Sequence, residues 1–223
     1  MGATAESSDL VHEVAGLLSQ FNQKRDADWP TAEDPFADTI AVKAGQLANI
    51  TAEALGWFQG PDSRSNFLDN LIGSLFQGVI GWCIQTDKHG SNEASLNALA
   101  NAFDQPGVDS FEVVTNITAC LQAAQALSVA AAVQDLPASL QAFRDLAYST
   151  NTDLRFLRDQ YIGRVILQFL KHRNGIASNA YVDFWEGKPD HRHIAELIQS
   201  NPGMSFSAVL NTIDQRYRQL IPF

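Results

Sequence analysis

The chain has 223 residues, with 25 acidic against 15 basic side chains and a formal net charge of −10 at pH 7. Nucleic-acid and anionic-membrane surfaces need a net cationic face, so this balance argues against both kinds of partner. No apolar run approaches the roughly 20 residues that span a bilayer, and the opening residues lack the basic leader and apolar block of a secretory signal, so we expect a cytoplasmic protein.

The predicted elements in the first part of the chain are helices. A first helix spans about residues 10–24 and ends in a polar turn that contains Pro30 and Pro35. Two longer helices, about residues 38–59 and 66–87, are separated by a glycine–proline turn. The glycines at 73, 78 and 81 indicate close packing or room beside the backbone, because each disfavours a helix by about 1 kcal/mol relative to alanine.

Polar side chains recur at three- and four-residue spacing in both central helices, so each set lies on one helix face. The two sets are Lys43, Gln46, Asn49 and Glu53, and then Asn66, Asp69, Gly73 and Gln77. The second helix also has an apolar arc wide enough for a central, mostly buried position. Polar groups on a buried helix must be satisfied, either by a partner helix or in a cavity that holds a ligand. At this point both alternatives stay open.

The second half of the chain is also predicted to be helical. Residues 91–150 contain a short helix, a second helix from about residue 111 and an alanine-rich stretch broken at Pro137. The alanine-rich stretch favours scaffold or dimer packing. A long helix, residues 153–173, has Asn151 or Thr152 as its cap and stops at Asn174. Helices at about 190–198 and 205–220 follow, and no alternating strand or internal repeat is evident.

We therefore predict an all-α fold in one domain, residues 1–223. Its core helices lie at about 8–87 and 151–220, with an intervening helical scaffold at about 91–150. Cys83 and Cys120 fall within apolar helical patterns and form no C-x-x-C pair, which is typical of reduced core thiols.

Residues 161–191 read YIGRVILQFLKHRNGIASNAYVDFWEGKPDH. This segment resembles the C-terminal signature of the dimeric dUTPases, members of the all-α (MazG-like) nucleoside triphosphate pyrophosphatase superfamily. The matching positions hold Tyr161, Arg164, Leu167, Gln168, Phe169, Lys171, Asn174, Gly175, Ile176, Asn179, Tyr181, Trp185, Gly187, Asp190 and His191. The central helix pair then falls into register with the same family, and residues 17–29 resemble its opening helix.

In that family the two central helices carry E-x-x-E and E-x-x-D, and a cage of four carboxylates holds the Mg²⁺ that bridges a triphosphate. Here the four positions hold Lys43, Gln46, Asn66 and Asp69, so only the aspartate is kept. A lysine ammonium about 5 Å from a divalent ion is repelled by on the order of 6 kcal/mol at an effective dielectric near 20. Glu53 supplies an auxiliary carboxylate only if the helix register slips. We therefore expect no bound metal, no cofactor and little metal-dependent hydrolysis.

The resemblance implies roles for further residues. Arg164 and Lys171 correspond to positive charges that meet phosphates. The residues implied in base or loop contacts are Ser19, Asn22, Asn174, Tyr181 and Trp185. A nucleotide ligand and a homodimer are also implied.

The favoured interpretation is a dUTPase-like, nucleotide-binding protein that is catalytically impaired. One alternative is an active dUTP or dNTP diphosphohydrolase that releases a monophosphate and pyrophosphate, with Mg²⁺ held by Asp69, Glu53 and substrate phosphates. The other is a ligand-free interaction or regulatory protein, in which the polar stripes meet as a hydrogen-bonded seam.

Overall fold

A computed structural model describes residues 5–54, 64–88, 93–104, 117–174 and 181–220, with the backbone alone at residues 50, 52–54, 64–70 and 117. The chain divides into two compact units, residues 1–158 and 159–223, and each is described by itself. The expectation of a single domain therefore stays a prediction. No helix in the described ranges combines the length and the apolar character of a membrane span.

The all-α prediction is confirmed in the described residues, whose regular secondary structure is helical apart from one small hairpin. The N-terminal unit contains α1 (Ala5–Gln23), α2 (Phe36–Ala54), α3 (Arg64–Lys88), α4 (Ala94–Asp104), α5 (Ile117–Ala132) and α6 (Leu136–Ser149). A further helix, α7 (Leu154–Arg173), starts in this unit and continues in the next. Helix α2 packs against α3 and α5, α5 also packs against α6, and α1 packs against α3 and α4.

Helix α3 is the central, buried helix that its apolar arc predicts. Among its described side chains, from residue 71 onward, Ile72, Leu75, Phe76, Val79, Ile80 and Cys83 are fully buried. Phe76 stacks on Phe143 of α6, with ring centroids 6.0 Å apart. Cys83 and Cys120 are both buried and free, as predicted. The apolar period of residues 71–83 therefore fixes which face of α3 builds the core.

The polar stripe of α2 is less enclosed than we expected from the sequence. Gln46 and Asn49 are exposed, as is Gln77 on α3. Of the stripe side chains that the structure describes on α2, Lys43 alone is partly buried, and its Nζ donates a hydrogen bond to Ser74 Oγ of α3 at 2.6 Å. The expectation that the whole stripe needs a buried partner is wrong for these three amides, because solvent satisfies them in the single chain.

Two helix starts differ from the prediction. Asp153, rather than Asn151 or Thr152, caps α7, because its Oδ1 accepts the backbone N–H of Phe156 at 2.7 Å. The break near Pro137 lies at residues 133–135. Asp135 caps α6 and Pro137 sits in its first turn, where the missing N–H costs no helical hydrogen bond.

Glycines in α3 allow close helix packing. A Cβ added at Gly81 would come within 3.0 Å of the Phe36 ring, and one added at Gly78 would lie 3.1 Å from Ile40 Cγ1. Phe36 also makes an edge contact with Trp29 at a centroid distance of 6.2 Å. Close packing, one of the two explanations for glycine in this helix, therefore accounts for Gly78 and Gly81.

We expect Gly81→Ala to lower the free energy of unfolding by about 1 kcal/mol, because crowding of Phe36 outweighs the helix propensity gained by alanine. The control is Gly16→Ala in α1, where an added Cβ meets nothing within 4 Å. That change should raise the free energy of unfolding by up to about 1 kcal/mol. Urea denaturation measures both, and equal stabilisation by the two changes would contradict the packing argument.

The C-terminal unit contains most of α7, a hairpin of β1 (Phe184–Trp185) and β2 (Lys188–Pro189), then α8 (Asp190–Ser200) and α9 (Phe206–Leu220). The two strands are antiparallel, and Trp185 pairs with Lys188. Glu186 and Gly187 both have positive φ, at 49° and 79°, as a type I′ turn requires. The expectation of no strand is wrong here, because strands of two residues are too short to show alternation.

Candidate functional site

In the C-terminal unit, Lys171 near the end of α7 lies beside Asp190, the first residue of α8. Its Nζ is 3.6 Å from Asp190 Oδ2 and 5.7 Å from the centroid of the Tyr181 ring. The lysine side chain is 30% exposed, whereas that of Asp190 is 4% exposed. The ammonium is therefore in reach of solvent, while its carboxylate partner lies behind it.

Asp190 is held by hydrogen bonds on both oxygens. Tyr181 Oη donates to Oδ2 at 2.9 Å, and the backbone N–H of His191 donates to Oδ1 at 2.6 Å. Burial and the hydrogen bond to Asp190 raise the pKa of Tyr181, so its phenol stays protonated and remains a donor. An acidic side chain in the first turn is also favoured by the helix dipole. We call Lys171, Tyr181 and Asp190 the Lys171 cluster.

Aromatic rings form a rigid support beside the Lys171 cluster. Tyr181 stacks on Tyr217 of α9 at a centroid distance of 5.2 Å, and Trp185 meets the same ring edge-on at 5.7 Å. Trp185 also stacks on His193 at 3.6 Å, and His193 Nε2 donates to the Trp185 carbonyl at 2.8 Å. Trp185 is 3% exposed, so it orders the hairpin and presents little surface to a ligand.

Asn174 is also part of the internal structure. Its Nδ2 donates to Leu170 O and to Asp214 Oδ1, each at 2.9 Å, and the residue is 1% exposed. Asp214 on α9 also lies 3.6 Å from Arg173 and 3.3 Å from Arg218. The amide nitrogen of Asn174 therefore ties the end of α7 to α9.

Arg164 lies seven residues before Lys171 on α7, which corresponds to about 10 Å along the helix axis. It is half-buried, and burial lowers the pKa of its guanidinium. An arginine side chain stays charged at neutral pH despite such a shift. Two positive side chains therefore lie along two turns of α7.

The candidate residues of the N-terminal unit are only partly described. Lys43 is paired with Ser74 across α2 and α3, and Gln46 is exposed. Ser19 and Asn22 lie half-buried in the last turns of α1. The side chains of Glu53, Asn66 and Asp69 fall outside the described residues, so their predicted places stay predictions.

Sequence reasoning missed the roles of Tyr217, which stacks on Tyr181, of Asp214, which accepts from Asn174, and of His193, which stacks on Trp185. Their parts depend on contacts between α7, the hairpin, α8 and α9, and no local spacing indicates them. Within the described part of the chain, no three His, Cys, Asp or Glu side chains are grouped as metal ligands would be.

A scan of the sequence against models of known protein families finds no match. A search of curated proteins also finds no matching relative. The resemblance to the dimeric dUTPases therefore stays a prediction, carried by the residues quoted for it.

Proposed function

We propose that the chain is a dUTPase-like nucleotide-binding protein with little or no metal-dependent pyrophosphatase activity. The observation that carries this proposal is the Lys171 cluster, in which a partly exposed ammonium lies beside a tyrosine in the segment that resembles the family signature. Lys171 and Arg164 would contact phosphate oxygens, since charge-assisted bonds to phosphate are among the strongest that proteins make.

The environment of Lys43 supports the loss of the metal. Its ammonium donates to Ser74 Oγ at 2.6 Å, and it forms no ion pair with any side chain that the structure describes. A cation at a position where the resemblance implies a glutamate repels Mg²⁺ and attracts phosphate. The charge of Lys43 therefore favours an anionic ligand without a divalent ion.

We also propose a homodimer that forms through the exposed face of α2 and α5. Val42, Val129 and Val133 are 60%, 65% and 69% exposed, and α5 has no charged residue. Ser128 Oγ donates to Ala41 O at 2.8 Å, so the two helices adjoin next to these valines. Two copies with a charge of −10 each would meet here on a face to which α5 contributes no charge. Sedimentation should find two chains in one particle, and a single chain would contradict this.

A cytoplasmic location belongs to the same proposal, and the free thiols of Cys83 and Cys120 agree with it.

Thermal melting with a panel of nucleoside triphosphates, in the presence of a metal chelator, tests the proposed function. Binding to the native state raises the melting temperature, and the ligand that raises it most identifies the preferred base. We expect dUTP or a related triphosphate to stabilise the protein without added metal. A flat response to every nucleotide would instead favour the ligand-free interaction protein.

A further inference from the structure

The contacts of Asp190 point to a role that the dUTPase resemblance does not supply. We infer that Asp190 is an internal competitor for Lys171, and that a bound polyphosphate must draw the lysine ammonium away from this carboxylate. The inference rests on the proposed function, because it concerns how the same lysine is made available to phosphate.

Lys171 contacts Asp190 and is also open to solvent, so a bound anion would compete with this carboxylate for the ammonium. Lys171 Nζ is 3.6 Å from Asp190 Oδ2, which is longer than a direct charge-assisted hydrogen bond of about 2.8 Å. The same oxygen accepts the Tyr181 hydroxyl at 2.9 Å. The carboxylate thus holds the ammonium by charge rather than by a short bond, and the 30% exposure of the lysine side chain leaves it open to a second anion.

Asp190 cannot follow the lysine toward a ligand. It is the first residue of α8, its side chain is 4% exposed, and both of its oxygens accept hydrogen bonds. The lysine has a flexible four-carbon stem, so it is the partner that moves. A fixed carboxylate behind the ammonium weakens the binding of an anion, because it retains the cation that the anion would bind.

Asp190→Asn tests this role, since asparagine keeps the shape and an oxygen for the His191 N–H but removes the charge. We expect inorganic triphosphate and dUTP to bind about fivefold more tightly to this variant, as measured by isothermal titration calorimetry in chelator. The matched control is Glu196→Gln on the same helix. It makes the same change in net charge but removes the exposed pair with Lys188 instead, and it should leave both affinities unchanged.

The double variant Lys171→Met, Asp190→Asn separates competition from a general effect of charge. In a chain that already carries Lys171→Met, adding Asp190→Asn should no longer raise the affinity for triphosphate, because the effect acts through Lys171. Near-ultraviolet circular dichroism checks that the aromatic packing of the folded chain is intact. If the asparagine variant does not fold, Asp190→Ser replaces it, because serine is accepted at helix starts and can also take the His191 N–H.

The outcomes distinguish the inference from the function on which it rests. Binding by the native chain, with no tightening in a folded Asp190 variant, overturns the inference alone, as does a gain that persists in the double variant. Binding by the Asp190 variant but not by the native chain supports the inference in its strongest form. Binding by neither protein overturns both the inference and the proposed function.

Discussion

Replacing Glu13 by alanine is expected to lower the free energy of unfolding by about 2–3 kcal/mol. Arg158 at the start of α7 directs two nitrogens at one carboxylate oxygen of Glu13 on α1, with Nε at 2.9 Å and Nη2 at 2.8 Å. The Arg158 side chain is 4% exposed, and removing one partner of a buried pair leaves a poorly compensated charge. Urea denaturation at neutral pH measures the loss.

A second, more exposed ion pair between α1 and α7 serves as the matched control. Glu6 and Arg155 make the same kind of bridge between α1 and α7, but their side chains are 63% and 49% exposed. Exposed ion pairs contribute about 0–1 kcal/mol to stability, so Glu6→Ala should lower the free energy of unfolding by no more than about 1 kcal/mol. If the two alanine variants were equally stable, burial of Arg158 would not be what makes the inner bridge important.

Replacing Lys171 by methionine is expected to weaken the binding of dUTP and inorganic triphosphate by about 10- to 100-fold. A hydrogen bond to a charged group contributes about 1.5–3 kcal/mol, and methionine keeps most of the apolar stem while it removes the ammonium. Asp190 keeps its bonds from Tyr181 and His191, so the fold should survive. Calorimetric titration in chelator measures the dissociation constant.

Lys188→Met is the control for this change. Lys188 lies on the hairpin of the same unit and pairs with the exposed Glu196. Its replacement by methionine therefore removes an equal charge and leaves the residues of the Lys171 cluster unchanged. Its effect on affinity should stay within about threefold, as expected for a screened surface charge. Equal losses of affinity in both variants would show that triphosphate binding depends only on net charge, and Lys171 would then not belong to the binding site.

The sequence predicts the core helices well because their apolar period is long. Ile72, Phe76 and Val79 lie on the face of α3 that the pattern indicates, and all are buried. The outward position of Gln46 and Asn49 on α2 was not predicted. Periodicity shows that polar residues share a face, but it cannot show whether another element covers that face.

The candidate site is predictable only where a motif spans it. Lys171, Tyr181 and Asp190 lie within the segment that resembles the family signature, and the fold brings the three together. Tyr217 of α9 stacks on Tyr181 of this cluster, and His193 of α8 stacks on the neighbouring Trp185. Their contribution arises from ring packing between separate elements, for which the local sequence carries no signal.

The most direct test of the proposed function measures pyrophosphate release from dUTP and the other common nucleoside triphosphates. Each nucleotide is tested with Mg²⁺ and with Mn²⁺, at a protein concentration high enough for the nucleotide to be bound. Lys43, Gln46 and Asn66 replace three of the implied carboxylates, so we expect no metal-stimulated release above the rate in buffer. Rapid metal-dependent release that Asp69→Ala abolishes would show a working metal centre and would contradict the account.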